Sequence, residues 1–198
     1  MYATVDDVKT YLDISGTADD TLLSALIDRA QAAIERRTGR VFEAVSVSNI
    51  NIWHDNIHGT DLFFPRDACG FYTDPPPVNY WIGSQSGNVL PISDAVGVPL
   101  DGPPYYALRI LPRATVSWYD LLYSDEQPFI GLGALWAYST TPPDDIVHAT
   151  IRLAGYYYRQ RDAQVYDVTA IPDAGVITVP AGIPADVDKL LVPYIKLI

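Results

Sequence analysis

Residues 35–42 read Glu-Arg-Arg-Thr-Gly-Arg-Val-Phe, ERRTGRVF, and mark the point at which the chain changes character. Before them, Leu22, Leu23, Leu26, Ile27, Ala30, Ala33 and Ile34 recur at helical spacing and define one apolar face. After them, Val41-Phe42 opens extended chain. Arg36 and Arg37 fall in the last turn of the predicted helix, where cations meet its negative end, and Gly39 suits the left-handed residue just beyond. Capping chemistry thus accounts for the basic cluster. A phosphate or nucleic-acid site is the competing reading.

Composition weighs against that competitor. The 198 residues carry a formal net charge of −11, whereas phosphate-backbone affinity comes from Lys and Arg displacing counterions. An acidic balance serves solubility, or a surface past which DNA slides without sticking. Hydrophobic residues make up 48% and charged residues 19%, enough apolar material for a real core. The lone cysteine, Cys69, excludes an internal disulfide and a multi-thiolate zinc site, and reads as a small apolar filler. No secretory signal and no membrane-spanning run is visible, so a soluble, non-exported chain is expected.

Towards the N-terminus the second helix begins near Thr17–Asp20, with Asp19 and Asp20 suited to its positive end. A first helix is signalled by Thr4 with Asp7 three residues on, and by Val5, Val8 and Leu12 on one face; Ser15-Gly16 is expected to end it. Towards the C-terminus, residues 43–141 are rich in proline, glycine and aromatics. Candidate strands there are AVSVS, NINIW, TDLFF, VNYWI, YYALRIL, ATVSWYDLLY and ALWAYS. The alternation slips phase between Val47 and Ile50, which predicts a bulge or turn near Ser48-Asn49.

Helix returns after Pro142-Pro143-Asp144-Asp145, a strong start signal. Ile146, Ala149, Thr150, Leu153 and Tyr157 form one stripe, with Val147, Ile151, Ala154 and Tyr158 beside it. So wide an apolar arc is buried on most sides or shared with a neighbouring subunit. Residues 164–181 read as a hairpin turning at Pro172-Asp173-Ala174-Gly175. A short helix from Pro184, with Val187, Leu190 and Leu191, is interrupted by Pro193. The fold class is therefore α+β: a helical bundle built from residues 1–42 and 142–198, with an inserted antiparallel β-rich domain over 43–141.

Chemistry-bearing patterns are sparse. His54 and His58 lie four apart, as two imidazoles on one helix face would for a metal, but Asn56, Gly59 and the flanking β-like runs argue for a polar loop. His148 has no nucleophilic or acidic partner fixed by spacing. GLGALW, residues 131–136, lacks the third glycine and the strand-to-helix setting of a dinucleotide site. The pairs Asp19-Asp20 and Asp144-Asp145 both fall at helix starts, where capping explains them. Trp53, Tyr80, Trp81, Tyr105, Tyr106, Trp118, Tyr119 and Trp136 fill half-buried strands, or else form a sugar-stacking or protein-docking face. No enzyme activity and no cofactor is expected.

The two ends together resemble the head–tail connector (adaptor) proteins of long-tailed phages, prophages and gene transfer agents. Val8-Lys9, Tyr11-Leu12, Ile34-Glu35, Thr38-Gly39-Arg40 and Phe42 match the N-terminal pattern. Pro143, Ile146, Ala149, Leu153, Ala154, Tyr158 and Arg161 match a later helix, and Val187, Leu190, Leu191, Pro193 and Tyr194 the closing segment, where Ile195 replaces a usual basic residue. The resemblance implies a structural virion protein made in the bacterial cytoplasm and placed at the head–tail junction. Such proteins form a ring, dodecameric on the portal, that extends the DNA channel and carries a tail-side stopper or tail terminator. DNA passes without sequence-specific binding. Contacts with a neighbouring copy are expected at Arg36, Arg37 and Arg40. Contacts with the portal are expected at the hairpin (Pro172, Asp173, Gly175) or the tail (Tyr194, Ile195, Leu197, Ile198). The alternative is an aromatic-rich β-domain that binds carbohydrate or protein on a helical stalk.

Overall fold

The computed structural model describes residues 1–44, 47–71, 90, 94–122, 128–163, 168–171, 175–178 and 182–196. The chain divides into two compact units, one of residues 1–40 and 142–198, the other of residues 41–141. Four helices, α1 (Val5–Leu12), α2 (Asp20–Thr38), α3 (Asp144–Ala163) and α4 (Ala185–Leu191), form the first unit with a two-stranded sheet, β8 (Val168–Ile171) and β9 (Gly175–Thr178). Mixed α+β architecture with antiparallel pairing is thereby established.

Local chemistry sets each helix. Thr4 and Asp7 form a reciprocal capping box at α1: the Asp7 N–H donates to Thr4 Oγ1, and the Thr4 N–H to Asp7 Oδ2. A hydrogen bond from the Thr4 side chain, with the one from its backbone, holds the Asp7 carboxyl below its ordinary range. The helix stops at Leu12, not at Ser15-Gly16. Asp13 takes the left-handed conformation (φ 57°), and the Ile14 N–H returns to the Lys9 carbonyl, so an aspartate does the work expected of the glycine. At the end of α2, Gly39 is left-handed (φ 69°) and its N–H reaches the Glu35 carbonyl.

Packing follows the apolar spacing. Val8 of α1, Leu23, Ile27, Ala30 and Ile34 of α2, Ile146, Ala149, Leu153 and Ala154 of α3, and Val187 and Leu191 of α4 are buried. Helix α3 meets α1, α2 and α4, which explains its wide apolar arc. A Cβ at Gly155 would lie 3.3 Å from both Leu12 Cδ2 and the Tyr11 ring, so glycine there permits the close approach of α1. The first acidic pair acts differently from the expectation. Asp19 stands at the N-cap without a side-chain capping bond; it accepts from the Tyr158 hydroxyl at 2.7 Å, while Asp20 pairs with Lys9 at 2.8 Å. These carboxylates fasten the start of α2 to α3 and α1.

In the second unit, β1 (Val47–Trp53), β7 (Phe129–Leu135) and β4 (Gly70–Phe71) make one sheet, in the order β1-β7-β4. The strands β2 (Ile57–His58), β3 (Asp61–Ala68), β6 (Tyr105–Ile110) and β5 (Ala95–Val98) make the other, in the order β2-β3-β6-β5. Ile52, Ile130, Leu132 and Ala134 from the first and Leu62, Phe64, Ala95 and Leu108 from the second share one core with Trp118, Leu121 and Trp136. Val41 and Phe42 join this unit: the Val41 carbonyl accepts from the Tyr138 N–H, and the two rings of Phe42 and Tyr138 pack at 5.5 Å.

Three strand expectations need correction. No bulge interrupts 48–49: β1 pairs with β7 in unbroken register from Val47↔Leu135 to Trp53↔Phe129. The slipped alternation arises because Ser48 shares the inward phase of Ile50 and Ile52 yet is exposed at the start of the strand. Residues 118–121 of ATVSWYDLLY form a 3-10 turn, capped by Ser117 with Asp120, that buries Trp118. ALWAYS is strand only at Ala134-Leu135, because the pairing run begins earlier, at Phe129, and takes in the glycine-rich GLGAL. The strand expected at VNYWI lies outside the described residues.

Candidate functional site

The cluster Arg36, Arg37, Arg40 belongs to the end of α2, where the closing segment of the chain is bound. Arg37 Nε donates to Asp188 Oδ1 at 2.7 Å and its Nη2 to Oδ2 at 3.3 Å, joining residues 151 positions apart. That pairing holds the Asp188 carboxyl below its ordinary range. Arg40 Nε donates to the Tyr194 carbonyl at 2.8 Å, and the Lys196 N–H to the Thr38 carbonyl at 2.8 Å. Thr38 is buried and returns its hydroxyl to the Ile34 carbonyl at 2.8 Å. Every member of Thr38-Gly39-Arg40 therefore serves the local architecture. Thr38 and Arg40 hold the tail, and Gly39 turns the chain between them.

Arg36 is exposed, on the side of α2 that reaches Tyr157. Arg29, two helical turns earlier, lies over the Tyr157 ring at 4.6 Å. Burial raises the Tyr157 hydroxyl pKa, and Arg29 and Arg36 oppose that shift. A cationic-aromatic strip thus runs along α2 and α3. Of the tail residues, Tyr194 and Ile195 are half-buried, and the Tyr194 hydroxyl donates to Asp145 at 3.3 Å. Gly175 opens β9 and pairs with Ile171. Pro172, Asp173, Leu197 and Ile198 lie outside the described residues.

The histidines do not converge. His54 begins a 3-10 turn (His54–Asn56) and contacts its neighbour Asp55 at 2.9 Å; His58 is on β2, edge-on to Phe63 at 5.3 Å. The four-residue spacing falls across a turn and a strand, not on a helix. Among the described residues no three His, Cys, Asp or Glu side chains gather as a metal site. His148 is exposed on α3. Cys69 is half-buried, with its thiol pKa pushed up by burial. No described helix is long and apolar enough to cross a membrane.

The aromatics divide. Trp118 and Trp136 are buried, and each donates its indole N–H at 2.7 Å to a backbone carbonyl, of Thr60 and Ser48 respectively. Tyr105 stacks on Phe71 at 5.2 Å and covers Gly97, while Trp53, Tyr106 and Tyr119 are exposed. Tyr80 and Trp81 are outside the described residues. Between β3 and β6, Asp61 and Arg109 form a two-pronged pair at 2.7 Å for both bonds, which depresses the Asp61 pKa. Sequence reasoning missed that cross-strand pair, because strand register was not legible.

Charge is unevenly distributed. Only three of the 13 cationic residues, Arg66, Arg109 and Arg113, fall in 41–141, beside ten of the 24 acidic ones, so that unit carries −7 of the −11. The remaining ten cations lie in the helical unit.

Residues 2–58 match the family described as phage gp6-like head-tail connector protein. The matched span runs from the buried Tyr2 through α1, α2 and the Thr38-Gly39-Arg40 turn to β2. No curated protein matches the chain. Among solved structures, a chain in the virion of a native gene transfer agent particle is similar over 98% of this chain and 89% of its own length, at TM-score 0.57 and 16% identity. A chain in the neck of a native particle of that kind, computed with C12 symmetry, is similar over 98% and 88%, at TM-score 0.50 and 17% identity. At such identities the likeness is one of fold. Residues 2–58 thus resemble the head–tail connectors, and the chain as a whole shares the fold of chains found in gene transfer agent particles.

Proposed function

We propose that the chain assembles as a ring at the head–tail junction, below the portal, where it extends the DNA channel and offers a platform to a tail-side stopper or terminator. The family match over residues 2–58 carries this reading, because it falls on the segment that builds the bundle's α1, α2 and terminal turn. Two further features support it. The chain is acidic overall, which suits a wall past which DNA moves without adhering. The similar chain of the particle neck belongs to an assembly treated with twelvefold symmetry.

In this reading Arg36 and Arg29 meet acidic residues of a neighbouring copy, whereas Arg37 and Arg40 act within the subunit by fixing the tail. Tyr194 and Ile195 lead the chain end towards the portal, and the hairpin at 172–175 is the second candidate for that contact. Electron microscopy of the purified chain mixed with the portal protein of the same particle tests the proposal. Rings stacked on the portal are expected. Portal particles that remain bare at saturating concentrations of the chain would remove it.

A further inference from the structure

The helical unit has a surface cavity of about 150 Å³, walled by Tyr11 of α1, Gly155 and Tyr156 of α3 and Val187 of α4, with Arg152 and Arg159 also lining it. A hollow of roughly that size holds one benzene-sized group. Asp186 also lines the cavity, but its carboxylate is ion-paired with Arg152, while Arg159 is exposed. Two phenol rings and a valine beside a guanidinium make a site for an aliphatic side chain followed closely by a carboxylate.

The connection between β5 and β6 presents such a pair. Leu100, at 71%, is the most exposed large apolar side chain among the described residues, and Asp101 beside it is exposed as well. Pro99, Pro103 and Pro104 restrict the backbone of the Pro99–Pro104 tip, and Gly102 takes the positive φ of 124° that lets it turn. A segment stiffened in this way loses little freedom on docking. The tip's Asp101 and the exposed Arg159 at the cavity are opposite in charge.

We infer that the cavity receives the Leu100–Asp101 tip of a second copy of this chain. Leu100 enters between Tyr11, Tyr156 and Val187, and the Asp101 carboxylate meets Arg159. Two different patches of one chain then join head to tail, the kind of contact that generates rings when its rotation closes. The inference rests on the ring reading and deepens it by naming the contact between neighbours.

Full-length chains carrying Leu100→Cys and Tyr156→Cys, mixed in equal amounts under mild oxidation, test it. Cys69 is common to both, and the parent chain serves as control. A mixed disulfide in excess over both like pairs is expected. Arg159→Asp in the second chain should cut its yield by about fivefold, in line with a partly exposed charge pair, and Asp101→Arg in the first should restore it. No mixed disulfide, a yield no greater than that of like pairs, or indifference to the charge changes overturns the contact. Microscopy of the parent chain on the portal is read separately. Rings there without the mixed disulfide leave the connector reading standing and remove only this contact.

Discussion

Replacing Gly39 with alanine tests the claim that the turn after α2 is set by backbone geometry. Gly39 has φ 69° and ψ 20°. An L side chain in the left-handed region costs about 1–2 kcal/mol. The reduced freedom of the unfolded chain returns about 0.4–1 kcal/mol. The added Cβ would stand 3.6 Å from Lys196 Cβ, an ordinary contact that contributes no clash. The net loss is therefore about 1 kcal/mol. For a unit of this size, with a urea slope of about 1–2 kcal/mol per molar, the midpoint should fall by about 0.5–1 M.

Far-UV circular dichroism reads that transition, because α1 to α4 all belong to the helical unit. Gly182→Ala is the control, since no heavy atom lies within 4 Å of its added Cβ and its φ is outside the left-handed region. It should match or exceed the parent. Gly39→Asn should fall between, as asparagine tolerates left-handed backbone. If Gly39→Ala and Gly182→Ala unfold at the same urea concentration, the backbone reasoning is wrong.

Tryptophan fluorescence gives a separate view, because Trp53, Trp81, Trp118 and Trp136 all lie in 41–141. By that probe Gly97→Ala should lose about 1–3 kcal/mol, because its Cβ would meet the Tyr105 ring at 2.5 Å while that ring is held against Phe71; an unchanged midpoint would mean that the ring yields freely. Leu153→Ala should lose about 2–5 kcal/mol of helical-unit stability by circular dichroism, since Leu153 is fully buried in α3. A loss below about 1 kcal/mol would place Leu153 at a site that collapses on truncation. Asp7, Asp61 and Asp188 all have depressed pKa values. Their contribution is complete above the ordinary carboxylate range, near ~4, and is lost as pH falls through the lower folded values. Urea midpoints should thus decline below about pH 4, less steeply for Asp61→Asn; a parent and variant with parallel profiles would discount the Arg109 pair.

Much of the helical unit was legible because its signals are local. Thr4 and Asp7 sit three apart, Leu23 to Ile34 keep one face, and Gly39 follows two arginines at a helix end. Each of these acts within a turn or two of chain. The long-range contacts of the same segments were hidden: nothing in spacing shows that Arg37 reaches Asp188, that Arg40 holds the Tyr194 carbonyl, or that Asp19 takes the Tyr158 hydroxyl. In the β unit, TDLFF and YYALRIL were recognisable by their alternation. The strand Ala95–Val98 escaped notice because it is four residues long and contains Gly97. Trp118 looked like strand because aromatic neighbours are common there, yet the Ser117–Asp120 capping box, three apart in the sequence, was the readable sign of a helical turn. Of the candidate interface, Arg36, Arg37 and Arg40 drew notice by their place at a helix end, but the Leu100–Asp101 tip and the cavity it suits depend on exposure and shape that a linear pattern does not carry.

The discontinuity of the helical unit has a consequence for how the protein is made. Translation delivers α1 and α2 first, then the whole of 41–141, and only afterwards α3 and α4, against which Leu23, Ile27 and Ile34 finally pack. The β unit can close while those side chains still wait for partners that follow the whole of 41–141 on the message. In a nascent chain of this design one body can be folded while α1 and α2 still stand open, and the bond from Lys196 to Thr38 is among the last that the helical unit can make.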